Sequence, residues 1–387
     1  MIGGDPAGVA HLYVHLPFCA SRCGYCAFVV EVGREDARDA YLHAVLAELD
    51  RERAVLGALD TVYLGGGTPT LMGADRLARL LGAIAPMLAP GAEVTVEANP
   101  ETMDDALAAA LAGAGVTRVS LGAQSFDPQV LKALGRIHVP ADVQRAAEEL
   151  HACGLDNFNL DLMFALPGQG REGALADLRQ ALALQPAHLS HYQLTLEPGT
   201  PFAALPPANL PDDDLAWAMQ QDCHAQLAAQ GFAQYEVSAF ARAGRQCVHN
   251  LNYWQFGDYL GLGAGAHGKL TTADGDIVRT TQQREPRRYQ ARPVEGLQRR
   301  VVPPADLPFE FLMNSLRLVE GFDLSLFTAR TGLPQAALLA GLQREQARGM
   351  LEPVDGRWRA TAQGQRFLND VIGAFLPDTN SQAVTGA

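Results

Sequence analysis

The sequence predicts an α/β chain: an incomplete (β/α)6, TIM-like barrel followed by a small C-terminal α+β module of winged-helix type. Three observations carry this expectation. Strand-like runs recur between residues 10 and 200, each followed by an Ala/Leu-rich helical pattern. Chemically useful polar residues fall at the ends of those runs, and after Pro308 the texture changes to short helices and a hairpin.

The expected strands cover 11–16, 61–64, 93–97, 118–122, 157–163 and 188–196, with helices at 35–55, 74–88, 102–114, 127–134, 140–153 and 172–184. Periodicity alone also allows a flat, doubly wound sheet. A flat sheet would gather its site at one switch point, whereas Cys19, Gly65, Glu97, Gln124 and Asp161 lie at or just past the C-terminal ends of five successive strands. That distribution favours a barrel rim.

The proline-rich stretch 198–214 reads as a long connection, and 212–231 as a helix. Residues 232–268 are rich in aromatics and glycine, and the arginine-containing stretch 279–300 reads as irregular. Three helices at 309–320, 324–331 and 335–349, a hairpin at 351–360 and an amphipathic helix at 361–376 complete the module. The expected division is therefore 1–240 for the barrel, 241–304 for a connecting region, 305–376 for the C-terminal module and 377–387 for a disordered tail.

A chain of 387 residues with 48% hydrophobic content can bury a large core and a smaller one. Its net charge of -13 argues against a phosphate-binding surface and hence against nucleic acid as a partner. The 335–349 helix carries Arg344 and Arg348 but also Glu345. No apolar stretch has the length of a bilayer span, and Met1-Ile-Gly-Gly-Asp-Pro lacks the pattern of a signal peptide. A cytoplasmic protein with free thiols is expected.

Half of the six cysteines stand within eight residues, in Tyr13-Val-His-Leu-Pro-Phe-Cys19-Ala-Ser-Arg-Cys23-Gly-Tyr-Cys26. A disulfide framework, a zinc site completed by His15 and plain apolar burial are the competing readings. Three thiolates are one ligand short of a closed zinc or cluster site, but a four-iron cluster on three cysteines leaves one iron open to a small molecule. Gly65-Gly66-Gly67-Thr68-Pro69, after the second strand, brings bare backbone close to a ligand, and it lacks the GK[ST] of a phosphate loop. Glu97, Gln124, Arg136 and Asp161 add acidic, amide and cationic side chains at later strand ends.

The CxxxCxxC spacing past a first strand resembles the radical S-adenosylmethionine (SAM) superfamily. The series of motifs that follows resembles its oxygen-independent coproporphyrinogen III oxidase group. The resemblance implies that Cys19, Cys23 and Cys26 hold a [4Fe–4S] cluster, with Tyr13, Gly66, Gly67, Glu97, Gln124, Arg136 and Asp161 around SAM. On charge grounds Arg136 suits the SAM carboxylate, and Asp161 or Gln124 the ribose.

Oxidases of the group resemble one another in CxxxCxxCxC; here the last position is Phe28. His249-Asn-Leu-Asn-Tyr253-Trp254 fits HNxxYW, a pattern that resembles the HemW heme chaperone branch. That branch implies heme contact at His249, Tyr253 and Trp254, with Cys247 and His267 as lesser candidates. It also implies an electron donor and heme-accepting partners, membrane-associated respiratory enzymes among them. The alternative is an oxygen-independent coproporphyrinogen III oxidase, which decarboxylates two propionates to vinyl groups. Cys19→Ala, Cys23→Ala and Cys26→Ala should each abolish the iron–sulfur absorbance of reconstituted protein, while Cys153→Ala and Cys223→Ala leave it intact.

Overall fold

The structure is a computed structural model and describes residues 8–377. The opening Met1–Pro6 and all but the first residue of the expected 377–387 tail lie outside the described residues.

Six strands form where period and composition place them: β1 (Val9–Leu16), β2 (Leu56–Gly66), β3 (Leu88–Ala98), β4 (Arg118–Gln124), β5 (Phe158–Phe164) and β6 (His188–Gln193). The helices between them are α1 (Arg38–Glu52), α2 (Ala74–Ile84), α3 (Asp105–Gly113), α4 (Pro128–Leu134), α5 (Pro140–Ala152) and α6 (Arg171–Ala183). Local chemistry sets their ends. Asp104 and Asp127 accept backbone N–H groups at the starts of α3 and α4, and Gly135 ends α4 in the left-handed conformation. α2 buries Leu77, Leu80, Leu81 and Ile84, one stripe at helical spacing against the sheet.

After α7 (Asp213–Ala229) come β7 (Ala233–Glu236), β8 (Ala239–Ala241), α8 (Val248–Trp254) and β9 (Leu260–Leu262). The main sheet runs β9-β1-β2-β3-β4-β5-β6-β8-β7. From β9 to β6 all neighbours are parallel, and β8 and β7 add an antiparallel edge. β9 and β7 are not neighbours, so the barrel stays open. It holds one more parallel strand than the six expected, because the glycine-rich segment supplies β9.

Register aligns the interior side chains in layers. His11, Thr61 and Glu93 are abreast on β1–β3, and Tyr13, Tyr63 and Thr95 form the next level toward the C-terminal ends. The interior is polar. Its N-terminal side is closed by α8, where Glu93 accepts the backbone N–H groups of Val248 (3.1 Å) and His249 (3.0 Å) and the Cys247 thiol (3.5 Å).

The stretch 279–300 is more regular than its composition suggests. β10 (His267–Thr271), β11 (Ile277–Thr281) and β12 (Gln298–Val301) form an antiparallel sheet, with α9 (Pro286–Ala291) between the last two strands. Backbone pairing across alternating residues, which a count of arginines does not reveal, is the reason. The C-terminal part contains α10 (Leu307–Ser315), α11 (Leu324–Thr331), α12 (Ala336–Ala347), the hairpin β13 (Leu351–Val354) and β14 (Arg357–Ala360), then α13 (Ala362–Arg366) and α14 (Leu368–Gly373). The expected single last helix is broken at Phe367, whose φ of -114 and ψ of 35 leave the helical region. Phe311, Phe322 and Phe327 anchor this second core with edge-on ring contacts. No helix among the described residues is long and apolar enough to cross a membrane.

Glu93→Ala should lower stability by about 2 kcal/mol, since the buried His249 N–H and Cys247 thiol lose their acceptor. The check is the denaturant midpoint.

Candidate active site at the barrel mouth

Beyond β1 the chain forms the cysteine loop. Phe18–Cys19 pairs with Glu31–Val32, the Gly24 N–H donates to the Leu134 carbonyl, and Phe202 lies against Gly24 so closely that a Cβ there would sit 2.1 Å from its ring. The glycine run is bonded to the same loop: Gly67 N–H donates to Leu16 O and Thr68 N–H to Phe18 O. Gly66 has φ +116, and a Cβ on it would meet the His15 ring at 2.5 Å, so glycine is required there for two reasons.

Cys19, Cys23 and Cys26 share the wall of one cavity of about 140 Å³ with Gly66, Gly67, Glu97, Gln124, Arg136 and Asp161. All three thiols are free. Burial pushes the Cys19 thiol up to about 11 and raises that of Cys26. The Thr68 hydroxyl lies 3.9 Å from Cys19 Sγ, and Arg136 Nη1 is 3.9 Å from Cys23 Sγ. The Thr68 contact partly offsets the effect of burial on Cys19. Among the described residues no three His, Cys, Asp or Glu side chains converge on a single metal position. A cluster does not require that, because each iron takes its own cysteine. His15 cannot serve as a zinc ligand here: Nε2 is bonded to Val29 O at 2.8 Å and Nδ1 to the Tyr13 hydroxyl at 3.0 Å.

Glu97 accepts from Gly66 N–H (2.9 Å) and from the Tyr63 hydroxyl (2.9 Å). Burial, and then the like charge of Asp161, raise its carboxyl to about 7; burial also raises Asp161. Arg136 donates to Asn99 Oδ1 and the Gly122 carbonyl. Gln124 stands at φ +66 and accepts from the Tyr192 hydroxyl at 2.7 Å. Asp177 holds the turn after it, accepting from the Ser125 hydroxyl, the Phe126 N–H and Gln169 Nε2. Sequence reasoning missed Thr68, Asn99, Asp177 and Tyr192. Thr68 stands within the glycine motif but was given no role, and Asn99 lies two residues past Glu97; the others carry no signal.

Tyr13 is not at the cavity wall. Its ring stacks on Tyr63, 6.2 Å between centroids, and so lies behind the Glu97 partner. His249, Tyr253 and Trp254 are likewise away from the mouth. His249 is fully buried, Nδ1 bonded to Thr61 Oγ1 (2.6 Å) and Nε2 to the Tyr253 hydroxyl (2.7 Å), which leaves no ring nitrogen for iron. Burial lowers it to about 3 and pushes the buried Cys247 thiol up to about 12. The cavity beside Tyr253 and Trp254 encloses about 210 Å³. His267 is exposed and bonds Thr281 Oγ1.

Residues 13–181 match the radical SAM superfamily and residues 302–367 the HemN C-terminal domain. The heme chaperone HemW of Escherichia coli (strain K12) is 45% identical over 373 residues, covering 95% of this chain and 98% of that protein. The chain belongs to the HemW heme chaperone family. HemW proteins of Haemophilus influenzae and Mycobacterium tuberculosis are 41% and 38% identical, covering 95% and 96% of this chain and 98% and 95% of theirs. Among solved structures, coproporphyrinogen III oxidase (HemN) from Escherichia coli, a radical SAM enzyme by its own description, superposes with a TM-score of 0.80. The match covers 97% of this chain and 91% of that one at 23% identity, which shows a shared fold. Membership of the radical SAM superfamily implies a [4Fe–4S] cluster and SAM.

In protein free of cluster and SAM, folded Glu97 keeps its proton up to about 7 but ionises near 4.5 when unfolded. The folded state thus binds the extra proton, and stability falls as pH rises through that window, by about 3 kcal/mol for this group. Glu97→Gln should flatten the slope between about pH 5 and about pH 8 in denaturant melts; an unchanged slope contradicts the assignment.

Proposed function

We propose that this protein is a radical SAM-type heme chaperone that holds a [4Fe–4S] cluster on Cys19, Cys23 and Cys26, seats SAM beside it and delivers heme to acceptor proteins in the cytoplasm. The observation that carries the reading is the single cavity that joins three cysteines to Gly66, Gly67, Glu97, Gln124, Arg136 and Asp161. Arg136, next to Cys23, suits the SAM carboxylate. Asp161 and Gln124 suit the ribose diol, and Glu97 supplies negative charge opposite the cationic groups. When bound, an iron–sulfur cluster supplies one-electron chemistry that cleaves SAM. The chain's own part is to orient SAM and exclude water.

Phe28 favours chaperone over oxidase. It is 66% exposed at the cavity wall, at the position where the oxidases carry a cysteine. Heme-accepting proteins, membrane-associated respiratory enzymes among them, and an electron donor are the partners this reading requires.

Anaerobically reconstituted protein, given SAM and a reductant, should bind hemin and leave coproporphyrinogen III unconverted in a chromatographic assay. Turnover of that porphyrinogen would replace the chaperone reading by the oxidase one.

A further inference from the structure

A cleft of about 860 Å³ separates the barrel's β6–α7 edge from the C-terminal helices. Its size falls within the range of about 300–1,000 Å³ typical of ligand sites. The mouth cavity and the one beside Tyr253, at about 140 and 210 Å³, are too small for a macrocycle as they stand.

Two imidazoles line the cleft, and each has a buried nitrogen with no hydrogen-bond partner: Nδ1 of His191 and Nε2 of His224. Burial of such a group is costly, and native structures usually pair it. His191 is 2% exposed and stacks on Phe164 at 4.7 Å, which fixes it. His224 is less constrained, touching Phe240 and His191 only edge-on at 4.7 and 6.2 Å. Burial keeps both rings neutral, lowering them to about 3 and about 4, and neutral imidazole is the form that ligates iron.

The rest of the wall is mixed in charge, with Arg317 and Arg366 beside Asp213 and Asp370, and it includes one large aromatic face. Trp217 offers an indole face, and the Arg366 guanidinium lies 5.0 Å from its centroid. The Arg366 contact with Asp214 is long, 3.8 Å, and solvent-exposed, so it holds the cation weakly. Arg317 lines the same cleft, is paired with Glu236 at 2.9 Å and covers the Trp254 ring at 4.4 Å, which places the HNxxYW tryptophan beneath the floor. Tyr192 is shared with the mouth cavity, so one side chain separates the two compartments.

We propose that this cleft is the heme site, with His224 as the iron ligand and Arg366 as a partner of the propionates. The proposal rests on the heme-chaperone reading and moves heme away from His249.

The test titrates the full-length protein with hemin and follows the Soret band. Wild type should saturate at one heme per chain. His224→Ala should bind at least about tenfold more weakly with a displaced band, and added imidazole should restore the band. Arg366→Glu should weaken binding and leave the band position unchanged. Thermal melts and iron–sulfur absorbance of the variants report on folding. Wild-type affinity and an unshifted band in His224→Ala would overturn the site, and weak binding that imidazole does not restore would overturn His224 as ligand. No saturable change in wild type is a different result: it removes the heme-chaperone reading itself.

Discussion

Two buried carboxylates at the barrel mouth impose the main physical constraint on this structure. Glu97 and Asp161 line the mouth cavity, are largely enclosed, and each has partners deeper in the barrel. For Asp161 the chain of bonds is continuous: Asn159 donates to it, His188 donates to Asn159, the Tyr235 hydroxyl bonds His188, and the Cys247 N–H donates to Tyr235. For Glu97 the path runs through the Tyr63 hydroxyl to a ring packed 5.2 Å from His249. One path ends at Cys247, the residue that caps α8, and the other on His249 within it. The HNxxYW helix therefore acts on the mouth from the far side of the barrel, as the base of two polar columns.

This arrangement explains why the interior is polar where barrels usually pack branched apolar residues. A dry interior would isolate the carboxylates, and the cost of leaving them charged would be prohibitive. Hydrogen-bonded Tyr, Asn and His side chains lower that cost while keeping water out. They also set tautomers: with Asn159 Oδ1 as acceptor, His188 carries its proton on Nδ1 and receives the Tyr235 hydroxyl on Nε2.

Much of this was legible in the sequence. The six strands, the helices after them and the cysteine loop follow from period, caps and spacing, and the rim residues follow from strand ends. Tyr13 and His249 were placed at ligands because a motif gives neighbours along the chain and no direction across the barrel. Their layer became visible only through register, His11 beside Thr61 and Tyr13 beside Tyr63. β9 was hidden because three residues, Leu260-Gly261-Leu262, are too short to show a period. Asp177, Tyr192, His191 and His224 were hidden because each is a single polar residue in an ordinary helix or strand, and its meaning comes entirely from a partner far away in sequence.

The cysteine loop shows how such long-range partners decide between metals. Cys19 is placed by pairing with Glu31–Val32 and by contact with Thr68, whereas Cys23 is placed beside α4 through the Gly24–Leu134 bond and Arg136. Cys19 and Cys23 are thus held by two separate βα units, while the Cys26 N–H donates to the Cys23 carbonyl in a turn. A zinc ion needs four ligands aimed at one point; among the described residues no such group is found, and both ring nitrogens of His15 are occupied. A cluster whose irons are ligated one by one would take one cysteine each, and the cavity that the three cysteines share is also lined by Glu97, Gln124, Arg136 and Asp161.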